Sequence, residues 1–160
     1  MYEKRGLVYQ DIKNHKAAIQ DFDSATRIEP SVPDSYYYRG LSKIELGKLG
    51  EATYNSAIDD FMYAEQLRSQ NPGIFNGIGM AFRLLKDYEK ALYYLNEALR
   101  KEPLNEEFLI QRSNIYVDVR DYNNAIEDLT NALSRKPTDP QILYKRGLAF
   151  YKNKEFKKSI

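Results

Sequence analysis

The sequence predicts an all-α fold, a solenoid of stacked antiparallel helix hairpins, and three observations predict it. First, Asp121 to Pro137 (DYNNAIEDLTNALSRKP) repeats, 34 residues on, the segment Asp87 to Pro103 (DYEKALYYLNEALRKEP). The two share Asp, Tyr, Ala, Leu and Pro in register, and self-similarity at a period near 34 is the signature of stacked two-helix units. Second, small residues recur along the whole chain: Gly6, Gly40, Gly79, Ser113 and Gly147 stand at spacings of 34, 39, 34 and 34. Third, the segments around them carry apolar residues at the three- and four-residue intervals of a helix face.

In chain order, the first unit has Gly6 followed by Ala18, Phe22, Ala25 and Pro30. The second runs from Gly40 to Ala57, Phe61 and Ala64, with Ser69 where the others have proline, and holds five extra residues between Leu46 and Ala57. They predict a longer second helix or a longer turn, which would tilt the stack locally. In the third unit, Ile74, Phe75, Ile78, Phe82 and Leu85 mark a first helix. Asp87 reads as an N-cap, and Ala91, Leu92, Leu95, Ala98 and Leu99 mark a second helix that Pro103 terminates. The fourth has Ser113, Ala125, Leu129, Ala132 and Pro137; the fifth starts at Gly147, with Phe156 and Ser159 matching Tyr88 and Ala91 at the opening of a second helix. Small residues on the first helix and alanines on the second let helix axes approach closely enough for large neighbours to interlock.

Composition narrows the function. With 42% hydrophobic residues the chain can bury a substantial core. Its 24 Lys and Arg against 23 Asp and Glu give no global attraction toward nucleic acid or anionic membrane. No cysteine is present, which excludes disulfides and thiolate chemistry, and a single histidine cannot build a zinc site of the usual His/Cys type. The start, MYEKRGLVYQ, lacks the apolar stretch of a secretory signal, and no apolar run approaches a membrane-spanning length. His15 stands where Tyr88, Tyr122 and Phe156 stand in other units, so it is a packing residue. Gly77-Ile-Gly79 has no third glycine and lies within a helical pattern, which points to close helix packing rather than a phosphate loop. No nucleophile–base pair with supporting spacing occurs, and the chain is read as non-catalytic, without metal or cofactor. The cluster Lys152, Lys154, Lys157 and Lys158 is read as a solvated helix end.

A charged pair is visible in the repeat register. Arg5, Arg39, Arg112 and Arg146 immediately precede the small residue of the first helix. Asp21, Asp60 and Asp128 immediately precede the Phe or Leu of the second helix. The third unit has neither, carrying Ile78 and Tyr94. Joint presence and joint absence predict semi-buried, charge-assisted hydrogen bonds Arg5–Asp21, Arg39–Asp60 and Arg112–Asp128.

The small residue on the first helix, followed by Ala, an aromatic or Leu, Ala and Pro on the second, resembles the tetratricopeptide repeat (TPR) family, a 34-residue helix-turn-helix unit. The resemblance covers nearly the whole chain. It implies one right-handed superhelical array, divided into repeat 1 (1–32, short at its start), repeat 2 (33–71), repeat 3 (72–105), repeat 4 (106–139) and repeat 5 (140–160, short at its end) of a longer array. It further implies that first helices line a concave groove for an extended or helical segment of another protein. Carried over position by position, the partner-binding groove comprises Tyr37, Tyr38, Leu41, Asn76, Met80, Arg83, Gln111, Asn114, Tyr144 and Lys145. The Lys and Asn pair by which co-chaperone TPR domains clamp acidic tails has no counterpart at these positions, nor has the asparagine ladder of glycosyltransferase arrays. The function implied is a protein-interaction scaffold that assembles a larger complex. Its partners are protein or peptide segments rather than nucleic acid or membrane, with self-association through uncapped array ends. The setting is cytoplasmic, by family analogy cytoskeletal or ciliary. The alternative is a regulatory or substrate-recruiting region of a larger enzyme or transport machine.

Overall fold

The computed structural model of the chain describes residues 1–47, 50–134 and 136–158. Among them are nine helices and no strand: α1 (Tyr2–Asp11), α2 (His15–Ile28), α3 (Pro33–Leu46), α4 (Glu51–Gln66), α5 (Gly73–Leu84), α6 (Tyr88–Lys101), α7 (Glu106–Asp118), α8 (Tyr122–Leu133) and α9 (Pro140–Lys158). They fall into two compact units, Met1–Asp87 with α1 to α5 and Tyr88–Ile160 with α6 to α9. Within each unit every helix packs on the next; in the first, α3 also packs on α1 and on α5. No helix among the described residues is long and apolar enough to cross a membrane.

The turns inside repeats 1, 3 and 4 close by one recurring device. After α1, α5 and α7 a basic residue takes a left-handed conformation: Lys13 (φ 59°), Lys86 (φ 62°) and Arg120 (φ 64°). In each case that residue donates its N–H to a carbonyl three residues back (Gln10, Arg83, Val117). The next residue donates to one five back (Tyr9, Phe82, Tyr116). These paired bonds are the Schellman motif, which satisfies carbonyls that a helix end leaves without partners. The second residue of the pair then opens the following helix. Asn14 Oδ1 accepts from Ala17 N at 3.2 Å and Asp121 Oδ1 from Asn124 N at 3.3 Å.

The cores follow the small-residue register. In the first unit Ala18, Phe22, Ala57, Phe61, Ala64, Ile78 and Ala81 are fully buried; in the second, Ala91, Leu95, Ala98, Ile115, Ala125 and Ala149 are. The glycines show why they are glycines. A Cβ built on Gly6 would come within 2.9 Å of the Phe22 ring, and one on Gly40 within 2.8 Å of the Phe61 ring. Gly77 of α5 presses on the same Phe61 ring, where a Cβ would lie 2.5 Å from it. The Gly-Ile-Gly sequence is therefore a packing element at Gly77.

The five extra residues of the second repeat are distributed rather than looped out. The helix α3 ends six residues past Gly40, whereas α1 and α7 end five past Gly6 and Ser113. Four residues, 47–50, separate α3 from α4, against three between α7 and α8. Ala57 is the seventh residue of α4, whereas Ala18 and Ala125 are the fourth of theirs. Most of the excess is helix, so it adds hydrogen-bonded backbone instead of exposed loop. Lys48 and Leu49, within the predicted excess, lie outside the described residues.

The fifth repeat departs from expectation. The sequence predicts a turn ahead of Phe156, yet α9 runs unbroken to Lys158. Where the other repeats have Asn14, Asp87 or Asp121 before the second helix, Glu155 stands here. Glutamate is a good helix former and a weak cap, so nothing local stops the helix. Ser159 and Ile160 lie outside the described residues, and the side chain of Phe156 is not described.

Candidate functional site

Three guanidinium forks organise the interior polar contacts. Arg5 Nε and Nη2 donate to Asp21 Oδ2 and Oδ1 at 2.7 and 2.6 Å. Arg39 makes the same fork on Asp60 at 3.0 and 2.6 Å, and Arg112 on Asp128 at 2.9 and 2.7 Å. Two parallel N–H bonds to one carboxylate fix both distance and plane, which a lysine could not do. Each guanidinium also lies over a tyrosine of its own helix: Tyr2, Tyr36 and Tyr116. The carboxylates are the buried partners, with Asp21, Asp60 and Asp128 exposing 4%, 5% and 2%.

Three further hydrogen bonds turn two of these pairs, those of Arg39 and Arg112, into staples across three helices. Arg39 Nη1 donates to Asp23 Oδ1 at 2.8 Å and to Thr26 Oγ1 at 3.0 Å, both on α2. Arg112 Nη1 donates to Asn96 Oδ1 at 2.7 Å on α6. Asp23 stands two residues past Asp21, and Asn96 two past Tyr94, so the same register supplies the outer acceptor. Asp60 carries a second cation as well: Lys43 Nζ is 2.7 Å from Oδ2 and donates to Ser56 Oγ at 2.8 Å.

Protonation follows this geometry. The hydrogen bond from Arg5, helped by its charge, holds the Asp21 carboxyl below its usual range against burial. Burial works most strongly against the Arg39 charge, but its bonds to Asp60 and Asp23 outweigh it and hold the guanidinium above its ordinary value. A group with a depressed folded pKa contributes stability above its unfolded pKa, and the contribution is lost as pH falls through the folded value. Acid unfolding should therefore steepen below about pH 4, the ordinary carboxylate value. In Asp21→Asn that part of the slope should flatten, as read by urea midpoints from pH 5 down to pH 2. An unchanged slope would mean that Asp21 is not coupled to Arg5 in solution.

The first-helix surface holds the other predicted residues. In the first unit Tyr37 and Tyr38 are half-buried with rings 5.2 Å apart, edge to face. The Tyr37 hydroxyl lies against Gly73 at the start of α5, and its ring is 6.0 Å from that of Phe61. Gln10 Nε2 donates to the Tyr38 carbonyl at 2.9 Å and to Ser42 Oγ at 2.8 Å, tying α1 to α3. Leu41, Met80 and Arg83 are half-buried. Asn76 is only 2% exposed, with its Nδ2 donating to Met80 Sδ at 3.6 Å, so it supports this surface from beneath. In the second unit Lys145 Nζ donates to Asn114 Oδ1 at 3.0 Å, and Asn114 Nδ2 to Gln111 Oε1 at 3.4 Å, a polar string from α9 to α7. Tyr144 beside it is 72% exposed. No group of three or more His, Asp or Glu able to hold a metal ion occurs among the described residues. His15 opens α2 in the register of Tyr88 and Tyr122, and its Nδ1 is buried without a hydrogen-bond partner among the described residues.

Three family profiles match the chain. One described as TPR repeat matches residues 114–154, and two described as Tetratricopeptide repeat match residues 1–32 and 77–105. No curated protein matches the sequence significantly. Among solved structures, a thermophilic TPR protein of Thermus thermophilus superposes with a TM-score of 0.83 at 16% identity, over 91% of this chain and 78% of that one. Cut9–Hcn1, an APC/C hetero-tetramer, gives 0.81 at 19% identity, over 92% of this chain and 29% of that one. YrrB, a TPR protein with an unusual peptide-binding site, gives 0.68 at 19% identity, over 96% and 78%. At these identities the likeness shows the fold alone, a solenoid of TPR hairpins.

Proposed function

This chain belongs to the tetratricopeptide-repeat family, and from that premise we propose that it is a non-catalytic scaffold. It holds segments of partner proteins on its first-helix surfaces and so assembles a larger complex. The observation that carries this reading is the half-buried pair Tyr37 and Tyr38 on α3, with Leu41 on the same helix and Met80 on the neighbouring α5. Aromatic and methionine side chains held in place yet partly open to solvent suit the centre of a protein interface. On the second unit the string of Gln111, Asn114 and Lys145 beside exposed Tyr144 offers hydrogen-bond donors and acceptors along one surface. A partner segment with apolar side chains fits the first surface, and one with polar or acidic side chains the second.

Site-specific photocrosslinking tests the reading. A benzophenone side chain at Leu41 or Met80 should crosslink the same partner, whereas one at exposed Gln20 or Arg27 on α2 should not. Crosslinks from α2 alone would move the interface off the first helices and overturn it.

A further inference from the structure

The chain has three methionines, Met1, Met62 and Met80, and one of them makes a directed contact. Met80 on α5 takes the register of Leu7, Leu41 and Leu148, with Asn114 in repeat 4. One turn earlier, Asn76 takes the register of Glu3, Tyr37, Ile110 and Tyr144. Repeat 3 alone therefore places an amide one turn from a thioether on the first helix. The two side chains meet: Asn76 Nδ2 donates to Met80 Sδ at 3.6 Å, a separation suited to the larger sulfur atom. Asn76 is only 2% exposed, so this contact lies on the inner side of the sulfur. Met80 itself is half-buried and opens on its other side to solvent.

A thioether sulfur is a weak acceptor with two lone pairs. The amide engages one pair from within, which fixes how the sulfur is turned and leaves the other pair facing outward. A leucine here, as in three other repeats, would supply a similar apolar surface without that chemistry.

We propose that Met80 is a reversible oxidation switch on the partner-binding surface, in which a hydroperoxide converts the outward side of its sulfur to one sulfoxide epimer and the partner segment is released. The switch rests on the scaffold reading, since it regulates that same surface. The step is an oxygen transfer. The outward lone pair attacks one oxygen of hydrogen peroxide, the S–O bond forms as the O–O bond breaks, and hydroxide departs. The proton on the new S–OH passes to that hydroxide, which leaves as water. Sulfur is oxidised by two electrons and the peroxide is reduced. A methionine sulfoxide reductase restores the thioether. The new oxygen stands on a surface otherwise formed by Tyr37, Tyr38 and Leu41. An apolar partner segment that covers it strips its water and returns no hydrogen bond. Met62 lies on α4, a second helix, and has no place on that surface.

The chemical half is read without a partner. The folded chain is treated with hydrogen peroxide and digested, and the Met1 and Met80 peptides are offered to the two classes of methionine sulfoxide reductase, each specific for one epimer. Met1 is 98% exposed and should give the near-even mixture of a free side chain. The Met80 sulfoxide should be reduced almost wholly by one enzyme and resist the other. In Asn76→Leu the two epimers at Met80 should even out. An even mixture at Met80 of the unsubstituted chain, or no oxidation there under conditions that oxidise Met1, overturns the proposal. The binding half uses the chain with benzophenone at Leu41, oxidised, freed of peroxide and only then mixed with cell extract. Its crosslinks should fall about tenfold or more, and return after reductase treatment. Met62→Leu should leave this response in place. Crosslinks from Leu41 that oxidation does not change overturn the switch and leave the scaffold reading standing. No crosslinks from Leu41 even before oxidation overturn the scaffold reading, and the switch with it.

Discussion

Asp60→Asn should destabilise the first unit by about 3–5 kcal/mol, the range for removing one member of a buried ion pair. Asp60 is the acceptor for two cations, Arg39 at 2.6 Å and Lys43 at 2.7 Å, with side-chain exposures of 6% for the aspartate and 16% for each partner. Neutralising it leaves Lys43 without a carboxylate partner and Arg39 with only the half-exposed Asp23. Urea unfolding should show a lower midpoint with an unchanged m-value, because the surface exposed on unfolding stays the same. Asp128→Asn should cost less, since Asp128 carries one cation, Arg112. Asp21→Asn should cost least of the three, since the Arg5 side chain is 51% exposed and solvent screens the pair. A double-mutant cycle separates pairing from packing: Arg39→Met should cost much less in the Asp60→Asn background than alone. Strict additivity would mean that the fork contributes no coupling.

This ranking could not be read from the sequence, although the pairs could. Joint presence and absence of Arg and Asp in the repeat register shows that they meet, because a charge on a packing face needs a partner. The register is silent on exposure, which depends on what lies above each fork. One signal of this ranking does stand in the sequence. Lys43 stands where the other repeats have Tyr9, Phe82, Tyr116 and Phe150, and a lysine among aromatics marks an added charge requirement, here Asp60. Asp23 and Asn96, the outer acceptors of Arg39 and Arg112, share a register in which only one is charged, so no charge pattern reveals them.

Helix positions were legible for a different reason. Period, alanines and prolines report helix packing and helix ends, which are local or nearest-neighbour properties. The basic residues at positive φ were not legible. Lys13, Lys86 and Arg120 hold a conformation that favours glycine, and only the hydrogen-bonded turn around them accounts for it. The unbroken run of α9 was missed because the register predicts a turn there, while local propensity at Lys154 and Glu155 continues the helix. The register places Asn76 on the binding surface, whereas its burial depends on the packing of α5, which register does not report.

Phe61→Ala should cost about 3–5 kcal/mol, the range for truncating a buried aromatic into a cavity that neighbouring helices cannot fully close. The ring is fully buried, and two glycines on different helices, Gly40 of α3 and Gly77 of α5, abut its outer end. Without side chains of their own, those glycines cannot fill the space. The same geometry predicts a compensation that the repeats already display. Gly6 and Gly40 face phenylalanines, whereas in repeat 4 the register pairs Ser113 with Leu129, a larger residue with a smaller one. Gly40→Ser alone should destabilise by about 1–3 kcal/mol, because its Cβ would crowd the ring at 2.8 Å. Phe61→Leu alone should cost about 1–2 kcal/mol for the volume it leaves. Together they should cost at least about 1 kcal/mol less than the sum, since each change supplies the space or the atoms the other lacks. Gly77→Ser in place of Gly40→Ser should show the same coupling, as Gly77 presses on the same ring from α5. If both double variants are strictly additive by urea denaturation, the ring does not set the spacing of these helices, and the glycine register needs another cause.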